Sequence, residues 1–319
     1  MGASIDGDEG QTGILGVVDA VDLVRLGFLQ ATVMIWILRT IPFLHSRFAV
    51  YGARGSDYSP AAKKEGSSAV LKPLDWFAGL HVSHGYFTHF YIFATGSIAF
   101  WITQLATKSR VIQAIASNTS EEHLQNSMSI QQVILCTALM AIQSVRRLFE
   151  CIALSKPSKS KMLVAHYLLG FYYYALITVA VWIEGIGAIQ SHTFTLTDFR
   201  ITQVPSLRTW IWVPVFLMAS GVQHDCHYYL STLKTYTVPT HPAFSRVVSP
   251  HYTAECVIYL SLAFLAAPQG QLVNKTLVCA LSFIVSNLGT TAHITKGWYQ
   301  RKFGEDSVRG KWRMIPFLF

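Results

Sequence analysis

Long apolar runs separated by short polar, cation-rich stretches set the rhythm of this 319-residue chain. Seven runs fall at 26–44, 86–106, 131–154, 163–189, 209–230, 252–267 and 272–292. Most of them approach the roughly 20 residues that a helix needs to cross a bilayer core. The sixth run is short and only Pro268-Gln269-Gly270 parts it from the seventh, which predicts a helical hairpin. Lipid offers no partner to a backbone N–H or C=O, so runs of this length satisfy those groups internally as helices. The expectation is an all-α integral membrane protein with about seven transmembrane helices.

Composition and charge narrow the class. Apolar residues make up 51% of the chain and charged ones only 13%, a balance foreign to a soluble domain of this length. With seven crossings and a cytosolic C-terminus, 16 of the 25 Lys and Arg residues fall in cytosolic segments, and four (Lys108, Arg110, Arg200, Arg208) in the opposite loops. That asymmetry satisfies the positive-inside rule and puts the acidic start, IDGDEGQ, in the lumen. Residues 1–25 then form a lumenal segment. They lack the pattern of a cleaved signal, so the first run stays as an anchor. The tail WYQRKFGEDSVRGKWR mixes cations with aromatic rings, as suits the anionic cytosolic face of a membrane. No basic run is interleaved with a soluble aromatic module, which argues against a nucleic-acid partner.

Smaller features follow from the same topology. Asn118-Thr119-Ser120 is a sequon in the lumenal loop after the second run, while Asn274-Lys275-Thr276 lies against the bilayer. Five cysteines within or beside the runs read as reduced, packed thiols. Residues 51–72, rich in Gly, Ser, Ala and Lys, read as a mobile cytosolic loop.

Ionisable residues inside apolar runs need a reason, because each costs a few kcal/mol facing lipid. The third run ends in QSVRRLFEC, where Arg146 and Arg147 precede Glu150 at helical contact spacing. An interfacial anchor explains one arginine; the set with Gln143 fits a polar cavity better. The fifth run ends in GVQHDCHYYLSTLK, placing Gln223, His227 and Lys234 on or near one helix face. The sixth opens SPHYTAEC, with Ser249 as a cap, Pro250 in the first turn, and His251 and Glu255 on one face. Before the second run, LHVSHGYFTHFY gathers His81, His84, Tyr86, His89 and Tyr91, mostly as interfacial belt residues, with one or two free to donate to a substrate. The pairs His81/His84 and His224/His227 have metal-like spacing, but the adjacent His-His pairs of membrane diiron sites are missing, so no metal is expected. There is no GxGxxG, Walker loop or GxSxG, so any nucleotide must bind among helices.

In order, GYFTHFYI, QSVRRLFECIALS, QHDCHYYLSTLK, VSPHYTAECVIYLSLA, WYQRKFGED and RMIPFLF resemble the steroid 5α-reductase family, most closely its polyprenal (polyprenol) reductase branch. The resemblance runs from about residue 82 to the end, with a 3-oxo-5α-steroid 4-dehydrogenase-like region at about 160–319. It implies a seven-helix membrane reductase domain over 26–319, in the endoplasmic reticulum, with NADPH in a cavity open to the cytosol and a long polyprenyl lipid entering from the bilayer. The cofactor contacts that it implies are Arg147, Gln223, His227, Lys234, His251, Glu255 and Tyr299. Steroid enzymes have Asn and Asp where this chain has Gln223 and His227, and Asn where it has His251. Their catalytic glutamate has no acidic match near residues 80–84, and their third-span tyrosine is matched by Ser144. Those departures count against a steroid ketone.

Reduction of an α,β-unsaturated carbonyl needs a donor for the developing enolate oxygen and an acid for the α carbon. His81, His84, Tyr86 and His89 are the candidates for this role. The expected function is reduction of the α-isoprene double bond of polyprenal or polyprenol on the route to dolichol, in support of protein N-glycosylation. The alternatives are an isoprenylcysteine-type methyltransferase using S-adenosylmethionine, a steroid or enoyl-lipid reductase, and a transporter, for which no inverted repeat is visible.

Overall fold

The structure is a computed structural model that describes residues 19–49, 71–156, 160–200, 204–235 and 237–319. Each apolar run holds a helix: α1 (Ala20–Thr40), α2 (Phe87–Thr107), α3 (Ile130–Leu154), α4 (Val164–Ala180), α5 (Leu207–Thr232), α6 (Pro250–Leu265) and α7 (Lys275–Phe303). The all-α membrane architecture is therefore as expected. Of the seven expected crossings, five are segments that are long and apolar enough to cross a membrane among the described residues, namely α1, α2, α3, α7 and the stretch from α4 to Ser191. α6 has only 16 residues. α5 is long enough, but its second half carries Gln223, His224, Asp225 and His227.

Local chemistry sets the helix ends. α1 starts six residues ahead of its apolar run because Asp19 caps it, its carboxylate accepting from Val21 N at 2.7 Å and Asp22 N at 3.2 Å. Pro250 occupies the first turn of α6 as expected, but the Ser249 side chain makes no cap bond. Instead the Ser249 backbone N–H donates to Arg313 O at 3.1 Å. The predicted hairpin of α6 and α7 is present, closed by Asn274 N donating to Ala263 O at 2.8 Å. Gly170 lets α4 lie close on α2, since a Cβ there would stand 2.6 Å from the Phe90 ring. At the end expected to be lumenal, the buried Glu184 accepts from Arg25 Nη2 at 2.9 Å and from Thr276 N at 2.8 Å, tying α1 and α7 to the turn after α4.

Two features at the other end escape the apolar pattern. β1 (His81–Ser83) pairs antiparallel with β2 (Lys161–Leu163), His81 opposite Leu163 and Ser83 opposite Lys161. The C-terminal tail runs back beside the start of α6: Val248 N donates to Trp312 O, and Trp312 N to Arg246 O, both at 2.8 Å. Outward-facing Ile142, Val145, Phe149 and Ile152 repeat at helical spacing on α3 and are each more than half exposed, as a lipid-facing stripe should be. All five cysteines are free thiols. The expected mobile loop lies outside the described residues except for Leu71 and Lys72, as do residues 1–18 of the lumenal segment.

Candidate active site

Gln143, Arg146, Arg147 and Glu150 recur every three or four residues along α3, so one face of that helix carries them all. Glu150 is buried, at 2% exposure, and both guanidiniums donate to it. From α5, His224 Nδ1 stands 2.8 Å and His227 Nδ1 2.9 Å from its oxygens. His227 Nδ1 is also 2.6 Å from Arg147 Nη1. A single ring nitrogen serves one of these partners at a time, donating to the carboxylate when protonated and accepting from the guanidinium when not. The ring therefore couples proton position to the Arg147–Glu150 pair.

The network continues in both directions. Arg146 Nη2 donates to Gln143 Oε1 at 2.9 Å and also to Gln223 on α5, and Gln223 Nε2 donates to Glu255 on α6. The rings of His227 and His251 lie 5.5 Å apart, so the expected shared face of His251 and Glu255 is turned toward α5. Toward α2, Arg147 Nε and Nη2 donate to Tyr91 OH at 3.2 and 3.0 Å, and its guanidinium carbon sits 4.8 Å from the Tyr91 ring centre.

Five of the expected cofactor residues, Arg147, Gln223, His227, His251 and Glu255, thus meet in one connected cluster. Two do not join it through any of these contacts. Lys234 is exposed two residues beyond α5. Tyr299 is half-buried, its ring against Trp298 at 5.3 Å and Phe303 at 6.0 Å in its own helix. The four expected proton donors, His81, His84, Tyr86 and His89, are all exposed at the start of α2. His81 Nδ1 lies 2.7 Å from Gly79 O, and His89 Nδ1 2.9 Å from Tyr167 OH. Tyr86 stacks on His89 at 4.7 Å. His84 leads inward by stacking on Phe87, which packs edge-on against Tyr91, and Tyr86 and His89 by way of Tyr167, which packs on the buried Phe90.

Tyr91, Glu150, Arg146 and Gln143 complete the cluster; the sequence pointed to the last three as a polar-cavity set and to Tyr91 as one of an interfacial group, but to none of them as a catalytic or cofactor residue. Glu150 was legible as the i+3 and i+4 partner of two arginines. Tyr91 was legible as one member of the His and Tyr group before the second run, without a sign that it, rather than its neighbours, faces Arg147. Arg146 Nε and Ser144 Oγ are buried with no hydrogen-bond partner among the described residues. Such unspent polar groups suit a ligand that brings its own acceptors. Two guanidiniums, three imidazoles, two amides and two carboxylates are a set of donors and acceptors suited to a dinucleotide, so the residues present fit that group. The one metal-like grouping among the described residues, Asp19, Asp22 and His123, lies at the far end, with Arg25 Nη1 2.9 Å from Asp22 and 3.1 Å from His123.

Residues 160–319 match the family model described as 3-oxo-5-alpha-steroid 4-dehydrogenase. The chain is 24% identical to polyprenal reductase 2 of Oryza sativa subsp. indica, over 89% of this chain and 95% of that one. It is 30% identical to polyprenal reductase of Saccharomyces cerevisiae over 55% and 60% of the two chains, and 25% identical to that of Homo sapiens over 73% and 77%. The family-model match takes in Gln223, His227, His251 and Glu255, and leaves Arg147 and Tyr91 outside.

Proposed function

We propose, for a chain that belongs to the steroid 5α-reductase family and to its polyprenal reductase branch, that it reduces the α-isoprene C=C bond of a polyprenal or polyprenol with NADPH. The reaction lies on the route to dolichol and so supports protein N-glycosylation, in the endoplasmic reticulum membrane with the C-terminus in the cytosol. The observation that carries this reading is the convergence of α3, α5 and α6 on one polar cluster inside an apolar bundle.

NADPH supplies the hydride when bound. Arg147, Gln223, His227, His251 and Glu255 would hold it, with Lys234 and Tyr299 at the periphery. Arg147 offers the planar fork that suits a phosphate, and Glu255 with His251 suits a ribose or carboxamide. Tyr91 is the best-placed acid. Arg147 donates to its oxygen, so the phenol keeps its own proton to give, and the adjacent cation stabilises the charge left behind. His84, Tyr86 and His89 would line the approach to it. The surrounding rings of Phe90, Tyr173 and Tyr174 exclude water, which strengthens each of these interactions.

The test is purified protein with polyprenal and NADPH, read by nicotinamide absorbance and by lipid mass. A gain of two hydrogens with oxidation of the cofactor supports the reading. An unchanged lipid, or transfer of a methyl group from S-adenosylmethionine, overturns it.

A further inference from the structure

The two sequons differ in what the fold has done with their amides. Asn274 is fully buried and caps α7, its Oδ1 accepting from Leu277 N at 2.9 Å. Its Nδ2 is spent twice, on Ala266 O at 3.0 Å and on Met128 Sδ at 3.7 Å. The sequon's hydroxyl, on Thr276, is also buried and donates to Glu184 at 2.6 Å. No amide hydrogen and no space are left there.

Asn118 is the opposite case. It is exposed at the end of the amphipathic helix Arg110–Ser117, whose Ile112 and Ala116 face inward. The Nδ2 group spends one hydrogen on Ala114 O at 2.8 Å, which leaves the other to be replaced. The backbone carbonyl of Asn118 is anchored by Ala20 N at 2.8 Å, so a substituent on the side chain does not disturb the start of α1. Ser120, the sequon's hydroxyl residue, is exposed as well. The loop holds two of the four cations in the loops opposite the cytosolic segments, the sparse side of the charge count.

We infer that Asn118 carries an N-linked oligosaccharide and that Asn274 does not. In the transfer, the bond from the sugar's anomeric carbon to a phosphate oxygen of a lipid-diphosphate donor breaks. A C–N bond to Asn118 Nδ2 forms, and the displaced amide proton leaves with the lipid diphosphate. The site lies beyond the far end of α2 from Tyr91, about 24 Å along the helix axis, so the modification is independent of the reduction.

The full-length protein made in glycosylation-competent microsomes tests this. After treatment with peptide N-glycosidase the wild type should gain mobility by the mass of one oligosaccharide. Asn118→Gln and Ser120→Ala should each run at the treated position without treatment, and Asn274→Gln should behave as wild type. Ser120→Ala keeps the Asn118 amide and its bond to Ala114 but removes the Oγ that accepts from His123 N at 3.4 Å, so Ser120→Thr, which retains both the hydroxyl cap and the sequon, is the matched control and should keep the glycan. A wild type that does not shift, or a shift abolished by Asn274→Gln alone, overturns the inference.

Discussion

Replacing Glu150 by glutamine keeps the shape of the side chain and removes its charge. The carboxylate takes hydrogen bonds from both guanidiniums, has the two histidine nitrogens within 2.9 Å, and at 2% exposure has almost no water to replace them. Hydrogen bonds to a charged group contribute about 1.5–3 kcal/mol against about 0.5–1.5 for neutral ones, so the two arginine contacts lose about 1–1.5 kcal/mol each. The new amide must also point its N–H group at a neighbouring donor. The expected loss of folding stability is about 2–4 kcal/mol, overlapping the range for breaking a buried pair by removing one partner. Denaturant titration of the protein in micelles measures it. A double-mutant cycle with Arg147→Met should return a coupling of about 1 kcal/mol or more. Cofactor affinity should move the other way or stay level, because the lost charge competes with phosphate for the same guanidiniums. An unchanged midpoint together with additive single effects would refute Glu150 as the hub.

Tyr91→Phe should lower kcat by about 100-fold or more while leaving NADPH affinity within a few-fold, as removal of a general acid does; single-turnover rates and cofactor titration check it, and an unaltered kcat removes Tyr91 from the reaction. Gly187→Ala should cost about 1–3 kcal/mol in thermal or denaturant unfolding, because its Cβ would stand 2.0 Å from the Leu124 carbonyl oxygen and backbone must move. Asp19 gives a pH dependence. Burial opposes its charge, but His123 and the Ser120 N–H hold its carboxyl well below the usual carboxylate range. A depressed folded pKa adds stability that is present above the ordinary value near 3.9 and is lost as pH falls toward the folded one. Asp19→Asn, which keeps the cap, should flatten that acid-side loss in unfolding midpoints taken across the range.

The helices were legible because lipid leaves the backbone one solution, and a run of apolar residues is all the signal it requires. The strand pair β1 and β2 was not. Three residues a side carry no usable alternation, and α2, α3 and the two short helices Arg110–Ser117 and Glu121–Gln125 separate Ser83 from its partner Lys161 along the chain. Within the site, what could be read depended on sequence distance. Arg146, Arg147 and Glu150 are four residues apart at most, so helical spacing alone brought them together. Tyr91 meets Arg147 across 56 positions, and no local pattern reports that. His81, Tyr86 and His89 have the right chemistry for a donor, but their exposure and their contacts with Gly79 and Tyr167 are tertiary facts.

The two helices that fall short of the test for crossing a membrane are also the two that bring Gln223, His227, His251 and Glu255 to α3. In α5 the cause is direct. A helix that must present an amide, two imidazoles and a carboxylate over two turns cannot keep the hydropathy of α1 or α4. Gln223, His224 and His227 are met there by Glu150, Arg146 and Glu255 from α3 and α6, while Asp225 is exposed and pairs with His241. α6 is short for a different reason: the C-terminal tail holds its start at Ser249 and the hairpin to α7 closes its end, which fixes His251 and Glu255 near one membrane face. Departure from the apolar rule is therefore a marker of the site itself, as expected where local preference yields to chemistry.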